Sequence, residues 1–161
     1  MKKIAFLLLI CLFNCKSNAQ EEAKKSDSKT FEISKTDAEW KTELSDKEYY
    51  VLRKAGTERP FSSSLNNEKR AGVYHCAACD TPLFKSENKF DSGTGWPSFD
   101  QEIKGNVAFG TDTKIGYTRD EEHCATCGGH LGHVFNDGPK ATTGLRHCIN
   151  GVALNFKPSN E

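Results

Sequence analysis

Cys76-Ala77-Ala78-Cys79 and Cys124-Ala125-Thr126-Cys127 are two thiol pairs of the same spacing with 44 residues between them, and the rest of the chain reads as a fold clamped at that point. Two cysteines separated by two residues can turn both sulfurs toward one ion, and two such turns complete a closed tetrahedral Zn²⁺ site of the structural kind. Turn-prone residues follow each pair, Asp80-Thr81-Pro82 after the first and Gly128-Gly129 after the second, as expected of chelating knuckles. Two disulfides are the alternative in an exported chain. The paired spacing favours metal. A redox pair of the thioredoxin type would open a helix after a parallel strand, and neither pair has that flank.

The other cysteines are Cys11, Cys15 and Cys148. Residues 1–14 carry Lys2 and Lys3 and then an apolar run from Ile4 to Phe13, too short for a membrane span, which needs about 20 apolar residues. The run reads as an export signal. Leu12-Phe13-Asn14-Cys15 is a loose lipoprotein signal that would make Cys15 the acylated first residue and attach the protein to a membrane. Ser17-Asn18-Ala19 offers ordinary cleavage after residue 19. The hydrophilic Lys16-Ser17-Asn18 that follows Cys15 favours the first route, and Asn14 is bulky for it. Both routes export the chain, to a periplasmic anchored site or to a soluble periplasmic or secreted one. Residues 15–30, rich in Lys, Glu, Ser and Asp, read as a flexible tether, and 31–161 as one domain.

The full chain has 161 residues with 22 basic and 22 acidic side chains, and no basic stripe interleaved with aromatics. A nucleic-acid partner is therefore not indicated.

Thr36-Asp37-Ala38-Glu39 and Ser45-Asp46-Lys47-Glu48 have capping-box spacing and predict two short helices, the second running to about Ala55 with Gly56 as its stop. Pro60 keeps Arg59 out of the helical region. From Ala71 onward the pattern changes to short apolar or aromatic runs broken by Gly, Asn and Asp. These are 72–75, 82–84, 89–90, 106–109, 113–117, 133–135 and 151–156, several alternating with period two. The expected class is mainly β: small antiparallel sheets with short N-terminal helices and zinc knuckles.

Once the knuckle thiols are committed, Cys148 is the one cysteine left in the domain. A lone cysteine is ordinarily a small buried hydrophobe. In Leu145-Arg146-His147-Cys148-Ile149-Asn150, however, strand alternation would put Arg146, Cys148 and Asn150 on one face, and an adjacent cation lowers a thiol pKa. Both readings stay open on this ground alone. His130 and His133 follow the second knuckle; each could be structural, His130 by holding a zinc sulfur, or free for acid/base work. Trp96, after the hinge Asp91-Ser92-Gly93-Thr94-Gly95, is either core or an aromatic wall for a small apolar group.

Taken in order, Gly56-Thr57-Glu58-Arg59-Pro60-Phe61, the two knuckles, Gly95-Trp96-Pro97-Ser98-Phe99, His130-Leu131-Gly132-His133-Val134-Phe135 and Arg146-His147-Cys148-Ile149-Asn150 resemble the methionine sulfoxide reductase B family, over roughly residues 34–156. The resemblance implies reduction of the R epimer of methionine sulfoxide, free or in oxidised proteins and peptides, on a zinc-bearing β fold. It implies Cys148 as nucleophile, passing through a sulfenic acid, His133 as principal acid/base and His130 as a second pocket histidine. It further implies Trp96 as receptor of the substrate methyl with Phe135 beside it, Arg146 supporting the thiolate, Asn150 orienting the site, and Asp137 bonding a histidine or pocket water.

The chain departs from the family pattern at Thr94, where many members carry a resolving cysteine, so the resemblance implies an external thiol or thioredoxin-like reductant. Gly151 stands where a serine is frequent. The reading from a different class is a zinc-ribbon-like protein-binding module without catalysis. A monomer is the default for such a small domain.

Overall fold

The computed structural model describes residues 31–113 and 116–159. The segments read as an export signal, 1–14, and as a tether, 15–30, lie outside the described residues.

Two short helices open the domain, α1 (Asp37–Glu43) and α2 (Asp46–Lys54), each started by a complete capping box. Thr36 and Ser45 each accept from the backbone N–H three residues on, while Glu39 and Glu48 reach back to the N-cap amide; two orphan donors are thereby satisfied at each start. The second helix ends on Ala55 itself, in left-handed backbone at φ 49°, one residue before the expected glycine. Trp40, Val51 and Leu52 are buried, and α2 lies against the main sheet.

Among the described residues nine strands follow, all paired antiparallel: β1 (Gly72–Cys76), β2 (Pro82–Lys85), β3 (Lys89–Phe90), β4 (Ser98–Phe99), β5 (Val107–Asp112), β6 (Arg119–Cys124), β7 (His130–Phe135), β8 (Arg146–Ile149) and β9 (Leu154–Pro158). They form a three-stranded sheet in the order β2-β1-β9 and a six-stranded sheet in the order β3-β4-β8-β7-β6-β5. Aromatic contacts join the two. Tyr74 of β1 meets Phe99 of β4 edge-on at 4.9 Å, and Phe84 of β2 stacks on Phe99 at 4.4 Å. The expected class, mainly antiparallel β with short N-terminal helices, is what is seen.

Three element assignments change. Thr113, Gly116 and Tyr117 are not strand, and Lys114 and Ile115 lie outside the described residues. The strand is instead β6, whose sequence Arg-Asp-Glu-Glu-His-Cys looks like a loop by composition. Tertiary pairing overrides that preference: Glu122 is fully buried against His147 at 2.5 Å, and Glu121 meets His130 at 2.6 Å. The run at 133–135 begins earlier, at His130. Residues 151–153 form a 3₁₀ turn, and β9 starts at Leu154.

Candidate active site

Cys148 stands on β8, an interior strand between β4 and β7. Its register partners are Ser98 on one side and His133 on the other. Directly opposed residues of an antiparallel pair project to the same face, so strand pairing alone brings the thiol and the imidazole to one surface. The neighbours His147 and Ile149 point the other way and are fully buried. Gly132 makes the close pairing possible: a Cβ there would sit 2.0 Å from the Cys148 carbonyl oxygen.

A pocket of about 120 Å³ opens on this face. Trp96, His133, Phe135, Cys148 and Asn150 line it, with Thr57 and Arg119 at its walls. Trp96 is half-buried, and its indole N–H donates to the Glu58 carbonyl at 3.2 Å. The turn that presents it needs positive φ at Gly93 and Gly95, and at Gly95 a Cβ would also strike Pro60 and Phe61. The Asn150 amide accepts from the Glu58 N–H at 3.0 Å and donates to the Leu131 carbonyl at 2.9 Å. It therefore ties β7 to the 57–59 segment. Gly151 has no room for a side chain, since a Cβ would lie 2.1 Å from Ser63 Oγ.

Arg146 is held bidentately by Asp137 at 2.8 and 2.9 Å, with its guanidinium 4.5 Å from the centre of the Phe135 ring. Asp137, for which the resemblance implied a histidine or pocket water, is bonded to the arginine. The reason is strand register: Arg146 pairs with Phe135, two residues before Asp137. His130 is off the pocket wall. Its Nδ1 meets Glu121, and its ring stands edge-on to His133 at 5.4 Å.

Sequence reasoning missed the groups behind His133. His133 Nε2 lies 2.9 Å from Asp112 Oδ2, and Arg119 bonds the same carboxylate at 2.5 Å. No spacing in the sequence relates Asp112, on β5, to His133, on β7. Burial pulls the His133 pKa below its ordinary value of 6.5 although the Asp112 bond raises it, so the ring is neutral at pH 7. Asp112→Asn removes the stabiliser of the imidazolium and leaves the Arg119 cation unopposed. The acid limb of the pH–rate profile is therefore expected to move to still lower pH. A limb that moved upward would refute this coupling.

The Cys148 thiol is also shifted, and against expectation. Burial raises its pKa above the ordinary value of 9.0, outweighing the pull of Arg146 and of Thr94, whose hydroxyl lies 4.0 Å from the sulfur. The cation acts in the direction the sequence suggests, but desolvation wins. The resting group is the thiol.

The four knuckle sulfurs gather within 4.8 Å of one another. Cys76 and Cys127 are 3.8 Å apart and Cys79 and Cys124 3.5 Å. A tetrahedron of sulfurs about 2.3 Å from an ion has edges of about 3.8 Å, whereas a disulfide needs about 2.05 Å. All four are free thiols, and the donor set fits a metal ion.

Comparison with known proteins agrees with this geometry. The SelR domain matches residues 44–158. A protein of Leifsonia xyli subsp. xyli named Peptide methionine sulfoxide reductase MsrB is 52% identical over 132 residues, 81% of this chain and 95% of its own. One of that name from Pseudomonas putida is 56% identical over 127 residues, 78% of this chain and 95% of its own. Peptide methionine sulfoxide reductase B1, chloroplastic, of Oryza sativa subsp. japonica is 51% identical over 128 residues, 79% of this chain and 59% of its own. On the extent of these matches the chain belongs to the SelR family, that of the methionine sulfoxide reductases B.

Proposed function

We propose that the protein is a peptide-methionine (R)-S-oxide reductase, acting on oxidised proteins and peptides and on free R-methionine sulfoxide. The observation that carries the reading is the pairing of Cys148 with His133 across two strands, facing one small pocket walled by Trp96 and Phe135. Trp96 and Phe135 would receive the substrate S-methyl group. This places the sulfoxide sulfur at Cys148 and its oxygen toward the histidine.

Neutral His133 takes the thiol proton as Cys148 Sγ attacks, and returns it to the sulfoxide oxygen. The substrate S–O bond breaks and a Cys148 S–O bond forms. Substrate sulfur gains two electrons, Cys148 sulfur loses two, and the products are methionine and Cys148 sulfenic acid. Arg146 supports negative charge on sulfur, Asp112 orients His133, and Asn150 and His130 brace the two walls.

Thr94 cannot resolve the sulfenic acid, because a hydroxyl forms no disulfide. Among the described residues the remaining thiols are the four of the knuckles. An external thiol, small or thioredoxin-like, therefore condenses with the sulfenic acid to a mixed disulfide and water, and a second thiol releases Cys148. After one turnover without reductant the protein is expected to gain one oxygen by intact mass. An intramolecular disulfide instead would refute this route.

Zinc is the metal read for the four knuckle thiols, in a structural role. Export, with Cys15 lipidated or with cleavage after residue 19, rests on residues 1–19, and intact mass of the membrane-extracted protein distinguishes the two. The activity itself is tested with purified R and S epimers and dithiothreitol. Methionine is expected from R alone, and none from either epimer would leave the binding-module reading standing.

A further inference from the structure

The pocket at Cys148 is scaled to the end of a side chain, whereas an oxidised methionine in a protein arrives with the polypeptide on both sides of it. Beyond Thr57, which lines both, a second cleft of about 860 Å³ begins, a size within the usual range for ligand clefts of roughly 300–1,000 Å³. Its walls are α2, the 57–65 segment and the 151–156 segment. The chemistry at Cys148 requires none of it.

Two features of the cleft specify its occupant. The first is Phe61, which stands in the chain between the cleft-lining Arg59 and Ser62 and lies against Gly95 of the Trp96 turn. It is 72% exposed and held in left-handed backbone at φ 62°, a conformation bulky side chains rarely adopt, with its N–H bonded to the Gly95 carbonyl at 2.7 Å. An aromatic fixed in that posture toward solvent presents a contact surface rather than core.

The second is charge. The lining holds Lys47, Arg59 and Arg70 against Glu58 and Glu68. Both carboxylates are already engaged: Arg70 bonds both oxygens of Glu68, and Glu58 accepts from the Gly151 and Val152 amides. Lys47 and Arg59 are exposed, and neither is among the ion pairs of the described residues. Lys47 does act on the Glu58 carboxylate through space, but the lining still counts three cations against two carboxylates, and the excess charge of the cleft is positive.

We infer that this cleft seats the extended polypeptide flanking an oxidised methionine, and that Arg59 and Lys47 make it favour segments with acidic residues beside that methionine, with Phe61 packing on the chain as it leaves the pocket. The inference rests on the reductase reading of the adjoining pocket. Backbone ties join the two sites, since Glu58 receives Trp96 on its carbonyl and gives its N–H to Asn150.

The test uses the whole protein with dithiothreitol on free R-methionine sulfoxide and on three short peptides whose central R-methionine sulfoxide is flanked by Asp, Ser or Lys. The expected order of kcat/KM is Asp above Ser above Lys. Exposed charge pairs of this kind support about a 5-fold spread at low ionic strength, shrinking as salt is added. Arg59→Glu, whose side chain makes no bond here, is expected to reverse the order, and Lys47→Glu to strengthen the reversal. Equal kcat/KM for all three peptides, or a preference that survives both substitutions, overturns the cleft assignment while turnover of the free sulfoxide keeps the reductase reading. No turnover of the free sulfoxide or of any peptide overturns both.

Discussion

Replacing Cys148 with serine is expected to lower methionine formation from R-methionine sulfoxide by at least about 10³-fold, with a thermal midpoint within a few degrees of the parent. The chemical reason is redox rather than steric. Sulfur can accept the sulfoxide oxygen and be oxidised by two electrons to a sulfenic acid, and a serine hydroxyl has no such step available. The substitution is nearly isosteric at a half-buried position, with the Thr94 hydroxyl at 4.0 Å as a ready partner for the new oxygen. Methionine release measured beside a melting curve separates loss of chemistry from loss of fold. Serine-containing protein that turned over at parental rates would mean that a knuckle thiol does the chemistry.

Cys124→Ser is expected to have the second large effect, on stability and metal content together. Cys76 closes β1 of the smaller sheet opposite Leu154, and Cys124 closes β6 of the larger sheet opposite Val107. An ion held by both is thus a cross-link between the sheets. The second knuckle also anchors the N-terminal region, because Ile33 donates to the Thr126 carbonyl at 3.0 Å and Arg53 to that of Cys127 at 2.9 Å. Metal binding of this kind is folding free energy. Its loss is expected to cost about 3 kcal/mol or more, the size typical of losing a metal or disulfide. For a domain this large each kcal/mol moves the midpoint by roughly 3–6 °C, so a drop of about 10 °C or more is expected, with metal lost from the purified protein. Unchanged metal content and melting would remove the knuckles from the stability of the fold.

The capping boxes at Thr36 and Ser45 were legible because a helix start is local chemistry: a hydroxyl and a carboxylate three residues apart satisfy amides that nothing distant supplies. The strand β6 was not. Its composition carries no apolar alternation, and the full burial of Glu122 is made acceptable only by its bond to His147. The same limit hid Asp112 and Arg119, which act on His133 through strand pairing and leave no spacing signature.

The resemblance drawn from ordered motifs pointed to Cys148, His133, Trp96 and Phe135, four positions spread over more than fifty residues, and the sheet lines one pocket with them. It did not anticipate the Arg146–Asp137 pair, which the register of β7 and β8 brings together.

By itself the sequence determined what is written in residue type and short spacing: the pairing of thiols at Cys76, Cys79, Cys124 and Cys127, the helix starts, the mainly β class and the family. Tertiary structure alone decided the electrostatics of the site. Whether Arg146 makes Cys148 a thiolate depends on how much water burial removes from the sulfur, a quantity set by β4, β7 and the Trp96 turn together, and no local pattern encodes it.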